Sequence, residues 1–278
     1  DGAVRVYATS DWSMRRIFYT NQGEVNGLHF SCDGASIVSA GDDGTAKLWD
    51  WQHGRLITSI KCHDEIAYSA KFIKHDTQLV TCGNERPIRI WDLGTSNSLV
   101  AELVAHTDSV DSFQITEDEK YIVSAGADGA RIVWDLESFE PVSIKDPLRS
   151  QRVLDVAVVS SENQVRFLSA SLAGNSGENA LLMLETSNSD YRRALLSSSS
   201  GFQTICTTNQ GNLVAVGDRD GGVTLLNISD MLHDTSSPDT VASIIGRWTG
   251  HKDRVYSSVF SPSGKHLVTC GMDGHIFR

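Results

Sequence analysis

The sequence lacks any apolar run near the ~20 residues that a membrane-spanning helix needs, so no membrane span is expected. Its five cysteines (Cys32, Cys62, Cys82, Cys206 and Cys270) form neither a CxxC pair nor an even framework. That excludes a disulfide-built fold and a thiolate metal site, and it points to reduced thiols inside the cell. The cytoplasm is the first expectation for location and the nucleus the second. Positive charge is also scarce, with 24 Lys and Arg against 35 Asp and Glu and a net charge of −11. Phosphate neutralisation by basic side chains is therefore not available, and no direct nucleic-acid partner is expected. The phosphate cradle GxxxxGK[ST], the nucleophile elbow GxSxG and the metal-binding HExxH are all missing. Nothing calls for a catalytic residue, a metal or a cofactor. The chain opens on Asp1-Gly2 and not on Met, which leads us to expect missing residues upstream.

What is present is a repeat. A Trp-Asp pair closes three similar phrases: SAGDDGTAKLWD ending at Asp50, TCGNERPIRIWD at Asp92 and SAGADGARIVWD at Asp135. The tryptophans are Trp49, Trp91 and Trp134, and a fixed period of this size signals a repeat architecture. Upstream of each lie an apolar residue before a turn (Phe30, Phe72, Ile115, and Phe260 in a last copy), then a Ser or Thr (Ser39, Thr81, Ser124, Thr269). An acidic turn residue follows (Asp43, Glu85, Asp128, Asp273). Between these anchors, runs such as AYSAKF, YIVSA and AKLWD mix β-branched, aromatic and polar residues between Gly/Asp turns, as short antiparallel strands do.

Carried through the weaker copies, the period places Tyr7, Leu184 and Leu226 in the tryptophan slot, and one further slot just beyond Arg278. Seven units result. They divide residues 1–278 into a partial blade at 1–20, full blades at 21–61, 62–104, 105–149, 150–197 and 198–247, and a partial last blade at 248–278.

These phrases resemble the WD40 family of β-propellers, strongly over residues 21–144 and 250–278 and weakly over 145–249. The resemblance implies an all-β, WD40-type propeller of seven blades of four antiparallel strands, incomplete at its N-terminal blade and its closing strand. It also implies a hydrogen-bonded network of His, Ser/Thr, Asp and Trp within a blade. His106, Ser124, Asp128 and Trp134 complete that set, and His251, Thr269 and Asp273 supply three members. His63, Thr81 and Trp91 are joined by Glu85 in place of Asp, while Ser39, Asp43 and Trp49 have Asn21 in the His slot. The Leu184 and Leu226 units lack the network and are expected to hold together by apolar packing. A nucleophilic reading of Ser, His and Asp in the third blade fails because such a serine must meet substrate, whereas these positions lie inside a blade. The lone turn aspartates cannot converge on calcium and are better explained by Asp-Gly hairpins.

Function must then be sought where the repeats differ. Family geometry places the starts of the innermost strands and the following turns around a channel mouth. The candidate partner-binding residues there are Glu24, Asn26, Asp42, Tyr68, Asn84, Asp108, Asp111, Asp155, Arg219, Arg254, Tyr256 and Met272. Residues 106–140 carry nine acidic side chains against Lys120 and Arg131, which suggests docking of a basic peptide around Asp108 and Asp111. Arg15-Arg16 and Arg192-Arg193 read as edge-strand charge. Residues 229–243 read as a polar insertion in which Ser237-Pro238 could accept a phosphate. The expected function is a non-catalytic scaffold or adaptor that binds a protein or peptide as a complex subunit. The alternative is a regulatory or targeting propeller of a larger multidomain enzyme or complex subunit. An enzymatic propeller would need a carboxylate or metal cluster at the channel mouth, which the sequence does not display.

Overall fold

In five repeats the second strand combines apolar with small residues and is buried almost from end to end: SIVSAG, QLVTCG, YIVSAG, RFLSAS and LVAVGD. Burial at successive positions, where side chains alternate between the two faces, marks a strand covered on both. The structure, a computed structural model, describes residues 2–20, 22–94, 96–145, 151–160, 165–172, 180–187, 192–233 and 242–278. The calls at Asn21 and Ser237-Pro238 lie outside them. The chain divides into two compact units, Asp1–Ser112 and Phe113–Arg278.

In the first unit, β1 (Ala3–Tyr7) and β2 (Met14–Tyr19) form a two-stranded ribbon. A four-stranded sheet follows: β3 (Val25–Phe30), β4 (Ser36–Gly41), β5 (Thr45–Asp50) and β6 (Arg55–Lys61). A second comprises β7 (Ala67–Ile73), β8 (Gln78–Gly83), β9 (Glu85–Asp92) and β10 (Leu99–Leu103). Sheets stack through their apolar faces. Val4, Val6 and Phe18 of the ribbon meet Ile37 and Trp49. Val38, Ala46 and Ile60 meet Ala67, Ala70, Phe72 and Leu79. The contact is close: a Cβ on Gly27 of β3 would fall 2.8 Å from the Tyr68 carbonyl oxygen. At the β4–β5 turn, Gly44 has φ of 70°, and a Cβ there would lie 2.2 Å from the carbonyl oxygens of His63 and Glu65.

The next sheet comprises β11 (Val110–Ile115), whose first three residues still belong to the first unit, and β12 (Tyr121–Gly126), β13 (Arg131–Asp135) and β14 (Pro141–Lys145) of the second. Next come β15 (Val153–Ser160), β16 (Arg166–Ser171), β17 (Ala180–Thr186) and β18 (Arg192–Ser198). The following sheet comprises β19 (Phe202–Thr207), β20 (Leu213–Asp218), β21 (Gly222–Asn227) and β22 (Ser243–Thr249). The last has three strands: β23 (Val255–Phe260), β24 (Leu267–Gly271) and β25 (Ile276–Phe277). One cluster (Val123, Val133, Val156, Phe167) packs the first of these sheets on the second. Another (Leu168, Leu182, Leu184, Ile205, Val214, Leu226) packs the second on the third. A short helix, α1 (Ser229–His233), opens the stretch expected to be an irregular polar insertion.

Among the described residues there are six blades, not the seven expected: five four-stranded sheets and one of three strands. The period located Tyr7 correctly at the end of a strand, but a slot in a repeat is not a blade. Residues 1–20 contribute only the β1–β2 ribbon, a unit that is marginal by itself in water and gains its burial from the β3–β6 sheet.

Candidate functional site

Each blade must satisfy the polar side chains that its own strands bury, because an unpaired buried group is costly. In the β7–β10 blade His63 and Trp91 both converge on the Thr81 hydroxyl, each at 3.1 Å. Arg89 Nη1 donates to the Cys62 carbonyl (2.8 Å) and to Glu85 Oε2 (2.5 Å) and lies 3.0 Å from His63 Nδ1. Glu85 Oε2 also lies 3.3 Å from His63 Nδ1, so this nitrogen faces both a donor and an acceptor while Nε2 meets the Thr81 hydroxyl. Burial holds the His63 pKa below its ordinary value. Glu85 Oε1 accepts the Asp64 N–H at 2.6 Å, so the longer acid still ties the turn down.

In the last blade Nδ1 of the histidine faces a carboxylate alone. Asp273 can only accept, so His251 donates from Nδ1 (3.0 Å) and its Nε2 accepts from Thr269 Oγ1 (3.0 Å). The Lys252 N–H, with His251 beside it, keeps the Asp273 carboxyl well below the usual carboxylate range. In the β11–β14 blade Trp134 Nε1 donates to Ser124 Oγ at 2.8 Å, Asp128 Oδ1 accepts the Ala130 N–H at 2.9 Å, and His106 is buried.

Two blades use residues that the sequence reading missed. In the β3–β6 blade Ser39 Oγ accepts from Trp49 Nε1 (3.0 Å) and donates to Gln22 Oε1 (2.5 Å), while Gln22 Nε2 donates to the Thr45 carbonyl (2.8 Å). Gln22, one position beyond the expected slot, does the histidine's work, and Asp43 Oδ1 caps Thr45 N–H at 2.9 Å. The Leu184 blade is not held by apolar packing alone. Glu185 receives Arg131 Nη2 (2.8 Å) and Nε (3.1 Å) and the Ser169 hydroxyl (3.3 Å), and the Arg131 and Glu185 side chains are 0% exposed.

This framework fixes the candidate rim. The ladders of β3–β4, β7–β8 and β23–β24 each carry a bulge between paired residues: Val25/Gly27, Ala67/Ser69 and Val255/Ser257. The extra residue is Asn26, Tyr68 or Tyr256, and a bulge of this kind re-aims its side chain. Each reaches a partner sixteen residues on, at the turn between the second and third strands. Asn26 Nδ2 donates to Asp42 Oδ1 (3.0 Å), the Tyr68 hydroxyl to Asn84 Oδ1 (3.2 Å) and the Tyr256 hydroxyl to Met272 Sδ (3.9 Å). The two sets of candidates, read separately from sequence, thus meet in pairs. At the same turns the N–H groups of Asp42, Asn84, Arg219 and Met272 donate to the carbonyls of Glu24, Ile66, Gly201 and Arg254.

Asp155 is placed differently. In β15 the bulge falls between Val153 and Asp155, so Leu154 takes the position of Tyr68. Asp155 Oδ2 instead accepts the Ile205 N–H at 2.9 Å, tying β15 to β19. Within the first unit, Asn84, Glu85, Arg86, Pro87, Thr107, Asp108 and Ser109 line an open cleft. Asn84 also donates to Glu65 Oε2, so its amide is held on both sides. Asp111 is half-buried on β11.

Among the described residues no cluster of His, Cys, Asp or Glu is arranged to hold a metal, and no helix is long and apolar enough to cross a membrane. The WD40 family profile, described as WD domain, G-beta repeat, matches residues 12–50, 97–135 and 242–277. The cilia- and flagella-associated protein 52 of Sus scrofa is 32% identical over 136 residues, 48% of this chain and 22% of that protein. The nuclear distribution protein nudF of Aspergillus niger is 24% identical over 94% of this chain and 60% of its own length. The serine-threonine kinase receptor-associated protein of Dictyostelium discoideum is 31% identical over 46% of this chain and 43% of its own. The chain therefore spans less than two thirds of each of these relatives. The profile matches fall on strands that build the blades, end at the Trp-Asp pairs of β5 and β13, and show WD40 repeats at these three positions of the chain.

Proposed function

We propose that the chain is a non-catalytic interaction scaffold that binds a protein or peptide at the bulge-and-turn edge of its blades, as a subunit of a larger complex inside the cell. One observation carries this reading. The bulge and the turn bond recur from blade to blade, but the side chains they present change from Asn26–Asp42 to Tyr68–Asn84 to Tyr256–Met272. A constant backbone with variable exposed groups displays a surface without ordering cost on binding. Tyrosine, methionine and arginine are typical anchors of such surfaces. Tyr256 and Met272 are 50% and 53% exposed. Two of the relatives are described by their names as associated with another structure or with a receptor, which suits this role.

A basic partner segment fits the first unit best, where Glu24, Asp42, Asp64, Glu65 and Asp108 are all exposed. A regulatory or targeting module of a longer protein is the second reading, favoured by the 22% of the cilia- and flagella-associated relative that the alignment spans. The test is affinity capture of partners from a cell extract followed by mass spectrometry, with the wild-type chain and with Tyr68→Ala and Tyr256→Ala. Loss of specific partners in the variants supports the reading. An unchanged partner set from correctly folded variants overturns it.

A further inference from the structure

Four turns between the second and third strands share one construction, an aspartate followed by a glycine with positive φ: Asp43-Gly44, Asp128-Gly129, Asp220-Gly221 and Asp273-Gly274. The β8–β9 turn breaks this rule. It reads Glu85-Arg86-Pro87, and Arg86 stands where the others have glycine. An arginine pays a steric cost at positive φ, and Arg86 does not adopt it. The turn is rebuilt instead. The β8–β9 ladder shifts register between Thr81 and Gly83, leaving Arg86 and Pro87 outside the regular pairing. Proline suits such a bulge because it has no N–H to place in the ladder.

Arg86 itself adds no bond that holds the rebuilt turn among the described residues. It places an exposed guanidinium in the cleft that Asp108 also lines. Arg86 has no hydrogen bond or ion pair among the described residues, and it does not pair with Asp108. Asp108 spends one carboxylate oxygen on the neighbouring Ser109 N–H (2.7 Å). The rest of the cleft is committed: Glu85 to Arg89 and the Asp64 N–H, Asn84 to Tyr68 and Glu65. Two opposite charges thus share one cleft and leave each other unpaired. A position that departs from the local rule with no gain to the fold marks a functional site.

We infer that this cleft reads a bipolar peptide segment, one that offers a carboxylate to Arg86 and a Lys or Arg side chain to Asp108. The inference rests on the partner-binding reading above and narrows it. A purely basic segment meets Asp108 and Glu65 but is opposed by Arg86; a purely acidic one meets Arg86 but is opposed by those carboxylates. Only an acid and a base a short distance apart satisfy both, and unpaired like charges give the discrimination against the others.

The test measures fluorescence anisotropy of the 278-residue chain with three labelled synthetic peptides of equal length, flanked by Gly and Ser: one with an Asp and a Lys two residues apart, one with two Lys, one with two Asp. The Asp/Lys peptide is expected to bind at least roughly fivefold more tightly than either control, the size of an exposed ion pair at the upper end of its range. Arg86→Glu should move the preference to the two-Lys peptide, and Asp108→Lys to the two-Asp peptide. Raising salt should weaken the two-Lys peptide more steeply than the Asp/Lys one in wild type. Circular dichroism melts confirm that both variants remain folded, as their exposure predicts. Equal binding of all three peptides, preference for the two-Lys peptide by wild type, or no binding of any overturns the inference. Partner capture with Tyr68→Ala and Tyr256→Ala then shows separately whether the scaffold reading stands.

Discussion

The β7–β10 and β15–β18 blades bury polar side chains at comparable depth and satisfy them by opposite means. In the first, His63, Thr81 and Trp91 exchange hydrogen bonds between neutral groups, and the charged pair Arg89–Glu85 sits at the margin, with side chains 18% and 17% exposed. In the second, Glu185 of β17 takes its partner from the neighbouring blade, and its full ion pair with Arg131 of β13 is sealed from water at 0% exposure. A neutral network loses little when desolvated and fails gradually. A buried ion pair has already spent several kcal/mol on desolvation, so it works only while both members are present. The difference teaches that the weak repeat is not a loosened version of the strong one. It is a different solution, and its failure should be more abrupt.

The sharpest way to break the comparison is Glu185→Ala. Arg131 would keep its burial and lose its counter-charge, and a loss of ~3–5 kcal/mol is expected in urea unfolding. The double variant Arg131→Met with Glu185→Leu should lie within about 1 kcal/mol of wild type or above it, since apolar pairs of similar volume often replace buried ion pairs without loss. If Glu185→Ala proved as mild as a surface change, water would have to reach Arg131, and the two blades would not differ in kind.

Thr81→Val should be milder. It keeps shape and branching but removes the hydroxyl shared by His63 and Trp91, leaving the buried His63 Nε2 and the half-buried Trp91 N–H without that partner. The expected loss is ~1–3 kcal/mol. A result equal to that of Glu185→Ala would erase the distinction between a neutral network and an ion pair.

How much of this was legible beforehand depends on which physical rule carried the signal. Trp49, Trp91 and Trp134 announced the strands and the stacking because a repeated unit writes the same pattern many times. Tyr7 misled the blade count because the period records strand position and not the number of partners a strand finds. Gln22 escaped because a side chain longer by one methylene than the expected Asn21 reaches Ser39 from the next position. Arg131 and Glu185 escaped because they are far apart in sequence and each passes for a surface charge. The one available sign was an arginine opening the apolar run RIVW. The pairing of Tyr68 with Asn84 and of Tyr256 with Met272 was hidden because a bulge shifts register by one residue, which a strict alternation of two cannot register. For the same reason Leu154 takes the position at which Asp155 was expected.

Acid separates the blades in another way. Burial depresses the pKa of His63, and burial followed by the charge of Lys71 brings that of His29 down to about 4. Both histidines are therefore neutral in the folded chain where the unfolded chain, with an ordinary value of about 6.5, is protonated. The unfolded state then binds more protons, so stability is fully present above about pH 6.5 and is lost as pH falls from there toward 4. The β15–β18 blade has no histidine in residues 151–198. Hydrogen exchange read by mass spectrometry between pH 7 and 4.5, corrected for the intrinsic rate, should show protection falling first in the peptide spanning 78–83 and later in that spanning 166–171. His29→Leu should flatten the early loss. Simultaneous loss in both peptides would place the acid-sensitive groups elsewhere.

The smallest expected effect gives the comparison its control. Arg55 and Asp50 repeat the chemistry of Arg131 and Glu185, an arginine on a carboxylate, with Nη2 to Oδ2 at 3.0 Å. The Arg55 hydrogen bond brings the Asp50 carboxyl down to about 2. Yet the Arg55 side chain is 73% exposed, and water replaces whatever the carboxylate loses. Exposed pairs of this kind contribute little because solvent screens them and the long side chain gives up rotamer freedom to hold them. Arg55→Ala should leave the urea midpoint unchanged within error at low and at high salt, while Glu185→Ala moves it at both. If Arg55→Ala moved the midpoint as far, identity of the charges and not their burial would govern the cost, and the contrast between the two blades would need another cause.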